Sequence, residues 1–267
     1  MDVKKVLFVS QEISPYLPET PMAVLGRDLP THVQEKGLEV RTFMPKYGFI
    51  NERRNQLHEV IRLSGMNLVI DDTDHPLIIK VATLQPARMQ VYFIFNEDYF
   101  SHTITKQLET ETSPEDNDER AMFFTRGVLE TVKKLRWTPD VIHCLGWITA
   151  LLPLYIKHYY NDDPAFSECK VVYSLFDNDF EKPLDPRFAE KLKLDGFSDD
   201  DVKALTGVND PVELTRLALQ HSDGVVQCSE NVKPEVLAVV KESGLPFLGY
   251  LPEEERTDAY IDFYKSL

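Results

Sequence analysis

The stretch Val3-Lys4-Lys5-Val6-Leu7-Phe8-Val9-Ser10, then Met22, Leu25, Leu29 and Val33, then Val40-Arg41-Thr42-Phe43-Met44, decides the fold. The first run is short, apolar and rich in β-branched residues, which predicts a buried parallel strand. The four apolar residues after it recur at spacings of three and four, which predicts a helix, and Gly37 stops it. Val40 to Met44 reads as the next strand, ended by Pro45. Strand, helix and strand in this order open a βαβ unit.

Working outward, residues 51–100 change character. Leu57 to Leu63, Met66 to Ile70, Leu77 to Leu84 and Met89 to Phe95 read as strands, with turns at Asp71-Asp72-Thr73-Asp74 and Gln85-Pro86. This predicts an antiparallel excursion or an edge of the same sheet. Residues 107–119 carry six acids, Glu109, Glu111, Glu115, Asp116, Asp118 and Glu119, and read as a solvated loop. Ser113-Pro114 supplies a helix start, and Ala121, Phe124, Val128, Val132 and Leu135 make the buried stripe that follows. Further strands are predicted at Val141 to His143, Lys170 to Leu175, Gly224 to Cys228 and Phe247 to Tyr250. Helices are predicted at Thr149 to Tyr160, Leu214 to Gln220, Lys233 to Ser243 and Thr257 to Leu267. Strands alternating with helices mean an α/β fold, a Rossmann-like, doubly wound, mostly parallel sheet with helices on both faces. With no repeat and no Gly/Ser linker, residues 1–267 are expected to form one domain.

Composition narrows the function class. The 267 residues carry 29 Lys and Arg against 44 Asp and Glu, a net charge of −15. That balance argues against a nucleic-acid binder, which needs clustered cations. No run reaches the roughly 18–20 apolar residues of a membrane span, and the N-terminus lacks a signal-peptide pattern, so a cytoplasmic protein is expected. Cys144, Cys169 and Cys228 form no CxxC pair and read as reduced, buried thiols. No spacing predicts a metal site or a cofactor.

In such a sheet, ligands bind beyond the carboxyl ends of the strands. The loop after the first strand, Ser10-Gln11-Glu12-Ile13-Ser14-Pro15-Tyr16-Leu17-Pro18-Glu19-Thr20-Pro21, has no glycine and no cation, but two glutamates and three prolines, Pro15, Pro18 and Pro21. A phosphate cradle needs glycines and free backbone N–H groups, so this loop predicts none. Lys46 and Tyr47, in Met44-Pro45-Lys46-Tyr47-Gly48, suit a sugar or an anion; a surface lysine and a packing tyrosine explain them equally well. In His143-Cys144-Leu145-Gly146-Trp147-Ile148-Thr149, only His143, Trp147 and Thr149 could hydrogen-bond or stack, and a lone histidine at a strand end is more often structural. Glu12 and Asp177 could converge as a carboxylate pair for glycosidic chemistry, although loop acids are usually just solvated. No GxSxG elbow is present.

Several of these segments together resemble one family. Lys5-Val6-Leu7-Phe8-Val9-Ser10-Gln11-Glu12-Ile13-Ser14-Pro15-Tyr16 and Met44-Pro45-Lys46-Tyr47-Gly48 are similar to the start of bacterial glycogen synthases and plant starch synthases, glycosyltransferase family 5. So are Asn117-Asp118-Glu119-Arg120-Ala121-Met122-Phe123-Phe124-Thr125-Arg126, Pro139-Asp140-Val141-Ile142-His143, and Ser222-Asp223-Gly224-Val225-Val226-Gln227-Cys228-Ser229. The resemblance implies the N-terminal half of a GT-B glycosyltransferase, the half that chiefly receives the glucan acceptor, while the second half holds most of the ADP-glucose site. The family's Lys-Thr-Gly-Gly-Leu-Gly-Asp-Val falls on Pro18 to Leu25, where its lysine, glycines and aspartate are lost. Its His-x-His-Asp-Trp-His-Thr falls on His143 to Thr149, keeping His143, Trp147 and Thr149. Its Thr-Ile-His-Asn strand end is Ser174-Leu175-Phe176-Asp177.

The resemblance and its departures together predict a glucan-metabolism protein without independent glucosyl transfer and without a catalytic residue of its own. It would bind glucan or a maltooligosaccharide, or regulate a partner enzyme. The alternatives are half of a split ADP-glucose-dependent synthase working with a separate glycosyltransferase chain, and a scaffold, including a homo-oligomer. Glu12, Tyr16, Lys46, Tyr47, His143, Trp147 and Asp177 are the expected sugar contacts, aromatics stacking on pyranose faces and polar tips hydrogen-bonding.

Overall fold

The chain enters the sheet at β1 (Lys5–Ser10) and leaves through α1 (Pro21–Glu35). Thr20 caps α1 by accepting the Ala23 N–H at 3.0 Å, and Pro21 fits the first turn, where no backbone donor is needed. Strands β2 (Glu39–Pro45), β3 (His58–Glu59), β4 (Met66–Ile70), β5 (Thr73–Leu84) and β6 (Met89–Phe95) follow, then the short α2 (Glu97–Phe100) and the long α3 (Asn117–Leu135). Next come β7 (Val141–Leu145), α4 (Leu152–Leu154), β8 (Lys170–Leu175), α5 (Phe188–Leu194), α6 (Pro211–Gln220), β9 (Gly224–Gln227), α7 (Pro234–Ser243), β10 (Phe247–Leu248) and α8 (Glu253–Ser266). This computed structural model describes residues 2–101, 116–177, 180 and 182–267.

The strands form one sheet in the order β10-β9-β8-β7-β1-β2-β6-β5-β3, with β4 paired to β5. Neighbours from β10 to β6 are parallel, and β5 runs antiparallel to β6, β3 and β4. The predicted α/β class and mostly parallel sheet are therefore what the chain forms, and the excursion after residue 51 is an antiparallel edge of that same sheet. Side chains of a strand alternate between faces. Leu7 and Val9 enter the larger core with residues of α3, α6 and α7, while Val6 and Phe8 enter the smaller one beneath α1 and α8.

Four local readings change. Leu57 to Leu63 is not a continuous strand: only His58–Glu59 pairs, and Leu57 and Leu63 reach the core from turns closed by Leu57 N–H to Glu52 O and Leu63 N–H to Val60 O. Thr149 to Tyr160 is a broken element, a 3-10 turn at Trp147–Thr149, α4, and a π turn at Tyr155–Tyr159, where Tyr160 N–H reaches Tyr155 O at 2.9 Å. Burial on nearly every side selects packing over regular helix there. The short α5 and a 3-10 turn at Lys203–Leu205 carried too little periodicity to be predicted. The acidic run is not simply solvated: Asp118 is fully buried in the first turn of α3. Glu109, Glu111, Ser113-Pro114 and Glu115 lie outside the described residues.

Candidate functional site at the carboxyl ends of β1 and β7

From β1 the chain moves to β2 on one side, while β7 lies on the other. The direction of winding reverses between β1 and β7, which is where an open α/β sheet forms its ligand crevice. Here the crevice is filled by the chain itself. Gln11 donates its backbone N–H to Leu145 O at 2.8 Å, and its Oε1 accepts the Ile148 N–H at 3.3 Å. Its carbonyl accepts the Tyr47 hydroxyl proton at 3.0 Å. Gly146 sits opposite at φ +94°, where a Cβ would come within 2.6 Å of the Gln11 Cβ. Only glycine allows this approach, and the buried Gln11 side chain occupies the space it leaves.

The loop after β1 is also closed on itself. Glu12 is buried, and its Oε2 accepts a short hydrogen bond from the Thr20 hydroxyl, the group that caps α1. A carboxylate is thus held beside a helix N-terminus, the position an anion would take. Gly26 lets α1 cross this close, since a Cβ there would lie 2.4 Å from Glu12 O. Arg27, further along α1, is engaged by Asp28 at 2.6 Å and 3.0 Å, with Ser14 at 3.3 Å and Glu19 at 3.5 Å.

The expected sugar contacts divide sharply. Tyr16, Tyr47 and Trp147 are buried, so none offers the open ring face that stacking on a pyranose requires. Tyr16 meets Phe93 edge-on at 4.8 Å, and burial pushes its hydroxyl pKa up to about 12. Tyr47 stacks on Phe49 at 6.0 Å, and Trp147 meets Phe180 at 5.3 Å. Lys46 pairs with Glu52 at 3.1 Å and lies over the Phe95 ring, and Glu52 also accepts from Lys80 at 2.5 Å. His143 lies deeper in β7, with Nδ1 2.5 Å from the Tyr264 hydroxyl of α8 and Nε2 2.5 Å from the Ser174 hydroxyl. Complete burial lowers its pKa to about 3, so the imidazole is neutral. Asp177 is exposed, and Glu12 is enclosed, so the two carboxylates do not share one environment. Asn178, Asp179 and Glu181 lie outside the described residues.

A small cavity remains between Gly146, Trp147, Ser174, Pro211, Leu214 and Thr215. Its free space, about 20 Å³, suits one or two waters and not a sugar ring. Sequence reasoning missed Gln11 and Gly146 as the plug of the crevice. The signal for it was a glycine one residue past a buried strand, facing a polar residue one past another. It also missed Lys191 of α5, whose ammonium donates to Asp118 at 2.7 Å, Glu119 at 2.7 Å and Asp185 at 2.9 Å. Burial works against that charge, but the three carboxylates outweigh it and raise the Lys191 pKa. Among the described residues, no helix is long and apolar enough to cross a membrane.

A family model described as the starch synthase catalytic domain matches residues 5–246. The chain belongs to the starch synthase catalytic-domain family. Among its relatives in that family is a glycogen synthase of Chlorobium limicola, 33% identical over 254 residues, which cover 95% of this chain and 51% of the relative. Another is a glycogen synthase of Chlorobium chlorochromatii, 34% identical over 256 residues, 92% of this chain and 52% of the relative. The fold is shared with the catalytic domain of starch synthase IV from Arabidopsis thaliana bound to ADP and acarbose, at a TM-score of 0.70 and 16% identity, over 94% of this chain and 52% of that one. The chain spans about half the length of these family members.

Proposed function

We propose that this starch-synthase-type domain does not transfer glucosyl units by itself and serves glucan metabolism by acting on a partner enzyme. The observation that carries the reading is the filled crevice between β1 and β7. Gln11 occupies the approach to Gly146, and the Glu12 carboxylate stands at the capped start of α1. A sugar diphosphate needs cations and free backbone donors at such a place, and an enclosed carboxylate repels it. The burial of Tyr16, Tyr47 and Trp147 favours a protein partner over direct glucan stacking. The test is transfer of labelled glucose from ADP-glucose to glycogen or maltoheptaose by the purified chain. No transfer above the blank is expected, and robust turnover overturns the reading. A melting-temperature shift with maltoheptaose would restore glucan as the ligand.

A second reading has one observation in its favour. The similarity to glycogen synthases, at 33–34% identity, runs through one half of those relatives. The chain would then supply that half to a separate donor-binding chain. Transfer that appears only on mixing the two chains would establish it.

A further inference from the structure

Around β3 the chain carries a small local excess of cations, Arg53, Arg54 and Arg62 against Glu52 and Glu59. β3 is the last strand of the sheet path, paired with β5 through His58–Val81 and Glu59–Lys80, and among the described residues no strand covers its other side. Arg53 and Arg54 stand before this strand and Arg62 after it, all exposed, with no carboxylate in ion-pair range among the described residues. The two acids of the segment do not neutralise them. Glu52 is taken by Lys46 and Lys80, and Glu59 makes no ion pair with any of the three arginines. Beside Arg62, Ile61 is 83% exposed, the most exposed of the large apolar side chains described.

In a chain of net charge −15, three free guanidinium groups around a bare isoleucine on an open strand edge form an address of their own. The Asp199-Asp200-Asp201 run is too far away to act there, since it follows β8, while Glu253 and Glu254 of α8 stand beside His32, Glu35 and Lys36 of α1. Six strand spacings separate β8 from β3, roughly 30 Å, against a Debye length of about 8 Å at physiological salt. Asp71, Asp72 and Asp74 lie toward the other end of β5, about 20 Å from its pairing with β3.

We propose that the β3 edge is a docking surface for an acidic, extended polypeptide. Its backbone adds alongside His58–Glu59, its carboxylates meet Arg53 and Arg54 at one end and Arg62 at the other, and an apolar side chain covers Ile61. Arginine and apolar side chains together are typical of protein interfaces. Arginines on an edge strand also discourage edge-to-edge aggregation, and the experiment separates that role from docking. The surface is independent of the filled crevice, so its test stands whatever the transfer assay shows.

The test is fluorescence anisotropy of a labelled ten-residue peptide of alternating Glu and Val, added to the full chain. Saturable binding tighter than about 1 mM is expected, weakening as salt is raised. The R53E/R54E and R62E variants each lose about tenfold in affinity, and the uncharged Ile61→Ser weakens binding without altering the salt dependence. The R53Q/R54Q/R62Q variant, which leaves these three positions polar and uncharged, provides the same reading if a charge reversal impairs folding. The proposal is overturned if the wild-type chain binds no tighter than that limit. It is overturned equally if the Gln variant binds within twofold of wild type, or if a single-stranded DNA decamer binds as tightly as the peptide, which would mark a general polyanion patch. Aggregation of the Gln variant with unchanged peptide affinity assigns the arginines to edge protection instead.

Discussion

Two buried polar regions hold this molecule together by different means. At the sheet centre, Gln11 closes on Gly146 and Ile148, and His143 joins Tyr264 and Ser174, through neutral hydrogen bonds and close backbone approach. Where α5 meets α3, Lys191 and three carboxylates fit together through charge. The neutral region depends on shape, because each of its bonds is modest when compared with water. The charged region depends on completeness, because an ion taken out of water is tolerable only while its partners remain. Burial raises the Asp118 pKa against the pull of Lys191, so this carboxylate needs its ammonium.

Four substitutions probe that contrast, beginning with the largest expected effect. Lys191→Ala strands the buried Asp118 and should cost about 3–5 kcal/mol in urea unfolding. The paired change K191M/D118L should cost much less; an equal loss would mean that packing, not charge, governs this region. Gly146→Ala combines a left-handed backbone with a clash against Gln11, and about 2–3 kcal/mol is expected from the same measurement. A neutral result would show the sheet centre to be looser than its geometry.

His143→Leu leaves the Ser174 and Tyr264 hydroxyls without their ring partner, at about 1–3 kcal/mol. It should also change the pH profile. His143 stays neutral in the folded chain down to about pH 3, whereas an unfolded histidine takes up a proton near 6.5. The unfolded state therefore binds more protons between these values. The wild-type chain should lose stability on acidification from about 6.5 to 3, with a His143 contribution of at most about 1.4 kcal/mol per pH unit, and the leucine variant should lack that contribution. Glu12→Gln keeps the shape of the loop and removes a charge at the start of α1, so only about 0.5–1 kcal/mol is expected, read as a small fall in melting temperature.

The sheet was legible because its strands announce themselves one by one. Val6 to Val9 and Val141-Ile142 are apolar runs that suit a strand buried on both faces, and Met22, Leu25, Leu29 and Val33 fix the first crossover helix. The candidate site was legible only as a location. The loops after β1 and β7 follow from the winding rule, but the direction of each side chain does not. Lys46-Tyr47 reads equally well as a sugar platform or as an ion pair beside a packed ring; Lys46 pairs with Glu52 and Tyr47 packs on Phe49, both nearby in the chain, but the Phe95 ring under Lys46 comes from β6 and could not be read locally. Asp118 reads as one more acid in a charge run, because its partner Lys191 lies 73 residues away.

The sequence by itself determined the alternation of strands and helices, the family likeness and the absence of a cationic, glycine-rich turn after β1, since each depends on neighbours in the chain. Only the tertiary structure decided that Gln11 faces Gly146, that Glu12 reaches Thr20, that His143 is held between α8 and β8, and that three arginines border an uncovered edge. Those outcomes depend on which strands lie side by side, and solvent access and electrostatic partnership are set by that spatial order.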